Sequence, residues 1–494
     1  MTSPTLRKAR EYEETFEKNI KKEERPMFHL SPRTGWMNDP NGFSCYDGKY
    51  HVFYQYHPYN SQWGPMHWGH AVSEDFLHWE YLPVALAPDE PYDEKGCFSG
   101  SAVTLPDGRH LLMYTGVKGQ EQENGVSCDV QTQCLAVGDG VEYEKYAGNP
   151  VLDEKDLPQG GSKLDFRDPK LWQKKDRGYY CVVGNRPEDG SGQILLFESE
   201  DGFLWKFKNT LIENKNRFGK MWECPDFFEL DGKWILLTSP QEMFAEGLEY
   251  PNGNGTLCMI GEFHEESGTF TEEQNQSVDY GVDFYAPQTT LTQDGRRVMI
   301  GWMQNWDTCG IRNQGEPWFG QMSLPRELFL KDGRLCQRPV RELESMRCNQ
   351  VEYKEVSVGE NLTLEKVQGR KIDMELLICP ENGEEVYQKF QVRFAQDKKY
   401  YTEISFRPQE AVLKIDRKFS GTRRAVVHER CCKVSSHNGK LKLRIILDRF
   451  SAEVFVNDGE QVLTMTMYTD QNADGISFLA DGKVKMNLVK YDLL

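Results

Sequence analysis

The chain has 494 residues, 38% hydrophobic and 12% aromatic, which excludes a disordered chain and exceeds what one compact core accommodates. Its 77 acidic side chains outnumber 59 basic ones, for a formal charge of −18. That balance repels nucleic acid and anionic membranes, so no partner of either kind is expected, and no run approaches the roughly 20 apolar residues of a membrane span. From Met1 to Arg25 there is no apolar core of a secretory signal. The 13 cysteines are odd in number and unpatterned, and Cys431 and Cys432 are adjacent, which predicts reduced thiols in a cytoplasmic protein.

Residues Leu6 to Lys22 are strong helix formers without a clear apolar face. They predict a charged helix, frayed at its start, lying on the main body and ended by Pro26. A turn followed by an apolar-rich run then recurs. Asp47-Gly48, Asp107-Gly108, Asp231-Gly232 and Asp294-Gly295 each precede such a run, and Asp176-Arg177-Gly178 is a variant. These aspartates lie 60, 69, 55 and 63 residues apart. Asp-Gly before a β-rich run is a strong hairpin signal. A second phrase repeats as well: Ser73-Glu74-Asp75-Phe76-Leu77-His78-Trp79 resembles Ser199-Glu200-Asp201-Gly202-Phe203-Leu204-Trp205. Five copies, each long enough for about four strands, predict a five-bladed β-propeller.

The propeller is expected to close near Gln337-Arg338-Pro339-Val340, with a helical link over Arg341 to Met346. Beyond it come strand-rich runs at Lys399 to Phe406, Glu410 to Ile415, Leu441 to Leu447, Ala452 to Val456 and Gln461 to Tyr468. No helix interrupts them, which predicts a β-sandwich. The fold class is therefore all-β, with a helical extension over 1–25, a propeller over 26–340, a linker over 341–350 and a sandwich over 351–494.

Three segments carry the chemistry: Trp36-Met37-Asn38-Asp39-Pro40-Asn41-Gly42, Phe166-Arg167-Asp168-Pro169 and Trp222-Glu223-Cys224-Pro225-Asp226. Paired carboxylates in aromatic surroundings are the equipment of glycoside hydrolysis. Each segment precedes one of the Asp-Gly hairpins, so each lies on the first strand of a repeat. First strands line the channel of a propeller, so Asp39, Asp168 and Glu223 from repeats one, three and four are expected to converge at one mouth. Simpler readings stand beside this one. Asp-Pro-Asn-Gly is also a surface turn, Glu223 also an ordinary strand residue, and Arg167 with Asp168 also a salt bridge between blades.

These segments resemble the three signature motifs of glycoside hydrolase family 32, the β-fructofuranosidases, which include invertases, sucrose-6-phosphate hydrolases, inulinases and levanases. The resemblance runs from about Phe28 onward, and Leu447 to Asn457 resembles the family's C-terminal sandwich. It implies a retaining hydrolase of terminal β-D-fructofuranosides, acting on sucrose, sucrose 6-phosphate or short fructo-oligosaccharides without a cofactor. Asp39 would be the nucleophile, Glu223 the general acid/base and Asp168 the transition-state stabiliser. The acid must hold its proton near neutral pH, and Met221, Trp222 and Cys224 supply apolar neighbours. Asn38, Gln55, Trp63, Phe98, Ser99, Arg167, Tyr285 and Trp306 would contact the sugar, while Trp302 reads as core packing.

Two other readings remain: a fructosyltransferase on the same scaffold, and a non-catalytic fructan-binding propeller. The first is separated by product ratio at high sucrose. The second requires a missing carboxylate, and all three are present. No metal is expected, because His67-Trp68-Gly69-His70 and the group His428, Cys431, Cys432, His437 lack a complete zinc spacing. The partner is a small sugar, and a homodimer through the sandwich is left open.

Overall fold

The computed structural model describes residues 2–494 apart from 122–124, 126, 311–315, 382–385 and 422–426. One α-helix lies among them, α1 (Pro4–Phe16). Ser3 accepts a hydrogen bond from the Leu6 amide and Pro4 opens the helix, so its start is capped rather than frayed. It buries Leu6, Ala9 and Glu13. That narrow inner face is masked in the sequence because one of its three members is an acid, which Arg33 neutralises at 3.1 Å. The helix stops at Phe16, ten residues before Pro26, and two 3-10 turns, Glu17–Asn19 and Lys22–Glu24, follow it.

Apart from short 3-10 turns, the remaining regular structure is strand. Five sheets follow in chain order over residues 35–86, 96–145, 166–213, 222–277 and 285–339; their pairings are antiparallel except for the short strand Trp318–Phe319, which lies within the last span but pairs in parallel with Gly35 and Trp36 of the first sheet. Their first strands are β1 (Gly35–Tyr46), β2 (Gly96–Thr104), β3 (Phe166–Gln173), β4 (Trp222–Leu230) and β5 (Tyr285–Leu291). Each first strand turns back into the second at one of the Asp/Gly positions read from the sequence. In the two tightest turns both residues take positive φ, Asp47 at 46° and Gly48 at 78°, Asp231 at 49° and Gly232 at 82°. That is the backbone twist a two-residue hairpin requires, and it explains why Asp-Gly recurs. The repeated Ser-Glu-Asp phrase also has one local cause. Asp75 accepts from the amides of Leu77 and His78, and Asp201 from those of Phe203 and Leu204, so each ends a third strand in an Asx turn. The first strands pack side by side: β1 against β2, β2 against β3, β3 against β4, β4 against β5, and β5 against β1 again.

A 3-10 turn, Arg341–Met346, leads into two further antiparallel sheets of six and five strands. The strand Arg347–Val358 begins inside the stretch read as linker. Further strands absent from the sequence reading, such as Ile372–Pro380 and Val484–Leu493, complete the six-stranded sheet. The two sheets share one apolar core, in which Val392 and Phe406 of one meet Ile445 and Leu488 of the other.

A buried polar seam joins this part to the first five sheets. Asp448 and Glu453 grip the two nitrogens of His29 at 2.9 and 2.8 Å, with all three side chains out of solvent. Burial alone would keep His29 neutral, but its carboxylate partners outweigh it and raise its pKa to about 9. Arg326, also fully buried, bridges Glu453 to Asp279.

Candidate active site

The carboxylates are aimed by defects in otherwise regular strands. Every first strand breaks register at the same level: between Met37 and Pro40 in β1, Phe98 and Gly100 in β2, Arg167 and Lys170 in β3, Glu223 and Asp226 in β4, and Tyr285 and Gln288 in β5. Four of these breaks hold a proline, at 40, 169, 225 and 287. A proline has no N–H to give the neighbouring strand, which confines it to such bulges. The residues ahead of three of them take left-handed backbone: Asp168 at φ 67°, Cys224 at 47° and Ala286 at 50°. That conformation is costly for a residue with a Cβ and turns its side chain out of the strand's alternation.

Asp39 is buried and accepts three hydrogen bonds. Ser99 Oγ donates at 2.8 Å, Asn38 Nδ2 at 3.1 Å and the Cys224 thiol at 3.4 Å. Asn38 is itself held by Trp36 Nε1 at 2.8 Å. Burial, then the charge of Glu223, raises the Asp39 pKa to about 6, against the pull of those three donors. Asp168 accepts from the Cys224 amide at 2.9 Å, and the same thiol lies 3.6 Å from its carboxylate. Cys224 thus touches two carboxylates. Burial and the surrounding negative charge push its own pKa well up, so it stays a neutral donor. Burial raises Asp168 too, with Arg167 opposing and the charges of Glu223 and Asp39 adding.

Glu223 is gripped from two sides. Arg167 donates Nε and Nη2 to one oxygen at 3.1 and 2.9 Å, and the Tyr285 hydroxyl donates to the other at 2.7 Å. Burial works against the charge of Arg167, but Glu223, Asp168 and Asp165 outweigh it and keep the guanidinium cationic. Its direct ion pairs are with Glu223 and Asp165.

The sugar contacts expected from the sequence divide into groups. Ser99 and Asn38 address Asp39, while Tyr285 and Arg167 address Glu223. Gln55 is buried and donates to the Cys97 carbonyl at 2.9 Å. Trp63 is half exposed, edge-on to Phe98 with ring centres 6.2 Å apart. Trp306 lies parallel to Trp36 at 6.4 Å, and the fully buried Trp302 packs behind both, at 6.0 Å from Trp36 and 5.1 Å from Trp306. The sequence reading missed Asp165, which anchors Arg167, and Thr115, whose hydroxyl accepts from the Asp168 amide at 3.0 Å. Neither sits in a motif. The donor role of Cys224 was missed as well.

Three carboxylates gathered around one thiol and one guanidinium, at the bulges of an all-β scaffold, define a carboxylate-based glycoside hydrolase. Comparison with known proteins makes the class specific. Residues 29–339 match the glycosyl hydrolases family 32 N-terminal domain and residues 342–492 the family 32 C-terminal domain. The chain belongs to glycoside hydrolase family 32. It is 38% identical to a raffinose invertase of Escherichia coli over 92% of each chain. It is 37% identical to a sucrose-6-phosphate hydrolase of the same species, over 92% of this chain and 91% of that one. The solved structure of a Bombyx mori GH32 β-fructofuranosidase mutant in complex with sucrose is 34% identical. It superposes with a TM-score of 0.85, over 100% of this chain and 99% of that one.

Proposed function

We propose that this protein is a retaining β-fructofuranosidase that cleaves the terminal β-D-fructofuranosyl unit of sucrose and related sugars through a covalent fructosyl-enzyme on Asp39. The observation that carries this is the gathering of three carboxylates at one place: the Cys224 thiol touches both Asp39 and Asp168, and Glu223, the residue before it, is held between Arg167 and Tyr285. Asp39 attacks C2 as Glu223 gives its proton to the departing oxygen. The C2–O bond breaks and an ester forms. Glu223, now a carboxylate, takes a proton from water, which attacks C2 and regenerates Asp39. Asp168, adjoining both partners through Cys224, would bind fructose hydroxyls more tightly as positive charge develops on the ring. The names of the relatives, raffinose invertase, sucrose-6-phosphate hydrolase and, in Bacillus subtilis, levanase, support fructosides as the substrate class.

The closed sequence of contacts among the five first strands supports five blades around one channel, with the site at its mouth. The family matches over 29–339 and 342–492 support a catalytic domain over 26–340 and a sandwich that begins within the stretch 341–350 rather than after it. The 13 unpaired cysteines support a reducing, cytoplasmic compartment.

The test is hydrolysis of sucrose in the presence of methanol. Capture of the intermediate yields methyl β-D-fructofuranoside, and Asp39→Asn abolishes turnover with the fold intact. A methyl α-fructofuranoside product, or appreciable residual activity in Asp39→Asn, would overturn the assignment.

A further inference from the structure

Arg167 works against the proposed acid. It gives Nε and Nη2 to one oxygen of Glu223, and a guanidinium so placed favours a carboxylate over a carboxyl. A general acid must hold its proton until the leaving oxygen arrives. The other groups facing Glu223 are Asp168, next to Arg167 on β3, Asp39 on β1, the Cys224 thiol on β4 itself and the Tyr285 hydroxyl on β5. Asp39 loses its charge when the ester forms, and Asp168 is engaged by the sugar. Asp165 keeps its charge throughout and reaches Glu223 through the guanidinium. It takes Arg167 Nη1 at 2.7 Å, closer than either bond from Arg167 to Glu223. Its second oxygen takes Arg186 Nε at 2.8 Å and Nη2 at 2.6 Å. Burial resists the ionisation of Asp165, but Arg167 and then Arg186 outweigh it and hold its pKa below the usual carboxylate range. Glu188 lines the same recess, with Lys163 and Glu154, which pair with each other at 2.6 Å.

We infer that Asp165 is a positioning residue for the reaction: it fixes Arg167 and offsets its charge, so that Glu223 carries the proton it gives to the leaving group. This rests on the fructosidase reading above and deepens it. The order of charges supports it first. Glu223, Arg167, Asp165 and Arg186 form one chain of alternating sign, with side chains 13, 10, 16 and 35% exposed. Solvent screens the outermost cation most, so Arg186 cancels less of Asp165 than Asp165 cancels of Arg167. The backbone holds Asp165 in place, because its carbonyl accepts from Asn185 Nδ2 at 2.7 Å and from the Arg186 amide at 3.2 Å, directly before β3 begins. The second support is Tyr285. Its hydroxyl lies 2.7 Å from Glu223 and 3.0 Å from the Ser239 carbonyl. It donates to Glu223 when that group is a carboxylate. When Glu223 is protonated, the carboxyl donates to the hydroxyl, which turns its own hydrogen to Ser239. Both protonation states are therefore hydrogen-bonded, as a group that gives and retakes a proton requires.

The experiment follows kcat/KM for sucrose across pH in the wild type, Glu223→Gln, Asp165→Asn and Arg186→Gln. The alkaline limb belongs to the acid if Glu223→Gln lacks it. A limb that persists in Glu223→Gln, or a wild type that releases no fructose, overturns the fructosidase reading itself, and this proposal with it. Asp165→Asn keeps an acceptor for Arg167 and removes the charge. It is expected to move the alkaline limb down by about one pH unit, leaving the variant about tenfold slower than wild type beyond the limb and close to it on the plateau. Arg186→Gln leaves Asp165 less opposed and is expected to move the limb up, by about half a unit because the lost charge is partly screened. The acid limb moves less in both variants, since burial, Glu223 and three neutral donors set the proton affinity of Asp39. Arg186 is the most exposed member of the chain, so its variant carries the test even if Asp165→Asn folds poorly. The proposal is overturned if Asp165→Asn loses rate equally at all pH values or moves the limb up, or if Arg186→Gln does not move it up.

Discussion

Ser99→Ala tests the electrostatics of the proposed nucleophile directly. Ser99 gives Asp39 its shortest hydrogen bond, a hydroxyl at 2.8 Å against an amide at 3.1 Å and a thiol at 3.4 Å. Burial and the charge of Glu223 hold Asp39 at about 6, and Ser99 works against both. A hydrogen bond to a charged group contributes about 1.5–3 kcal/mol, which is roughly one to two pKa units at about 1.36 kcal/mol each. Water entering the vacated space recovers part of that, leaving an expected rise of about one unit. A protonated carboxyl is no nucleophile, so the acidic limb of kcat/KM, which reports the free enzyme, moves from about 6 toward about 7. The variant then loses about tenfold against wild type near pH 5.5 and progressively less toward pH 8. The assay is initial-rate hydrolysis of sucrose across that range. A limb that stays in place or moves down, with one uniform loss at all pH values, would refute the reasoning and leave Ser99 as a substrate contact alone.

Glu223→Gln is expected to slow sucrose hydrolysis by about 10²–10⁴ and to slow fructosides with acidic leaving groups far less; equal losses on both would remove the proton-donor role. His29→Gln strips two buried carboxylates of their partner and is expected to cost about 3–5 kcal/mol in denaturant unfolding; a loss under 1 kcal/mol would mean that Asp448 and Glu453 are solvated on their own. Because the folded pKa of His29, about 9, lies above its unfolded value of about 6.5, its contribution is complete below about pH 6.5 and is lost as pH rises through about 9. The gap between wild type and His29→Gln should shrink over that window, and a constant gap would contradict the pairing. His51, His70 and His110 lie buried together, with His51 Nδ1 and His70 Nε2 3.0 Å apart. Burial lowers all three, His51 to about 4 and His110 to about 3. The unfolded chain therefore binds protons first, and stability present above about pH 6.5 falls as pH drops toward 4. His51→Gln should flatten that decline, and an unchanged slope would place the acid sensitivity elsewhere.

The sequence by itself determined what short-range chemistry controls. Asp47-Gly48 and Asp231-Gly232 announce hairpins because few other pairs accept two consecutive positive φ angles. The spacing of such turns sets five strand–turn units and puts Asp39, Asp168 and Glu223 on first strands. The link over Arg341–Met346 was likewise legible. Strands such as Val484–Leu493 were not, because its neighbours, Arg347–Val358 and Ile372–Pro380, lie more than a hundred residues away and no nearby turn marks it. Only the tertiary structure decided the site's electrostatics. The prolines at 40, 169, 225 and 287 are visible in the sequence, but their common level in adjoining sheets is a product of packing. The thiol of Cys224 meets Asp39 from 185 positions away, Arg167 reaches Glu223 across 56, and His29 meets Asp448 across 419. Backbone preferences act over a few residues, whereas these contacts exist only once whole sheets have docked. Docking is also what buries the carboxylates and so shifts their proton affinities.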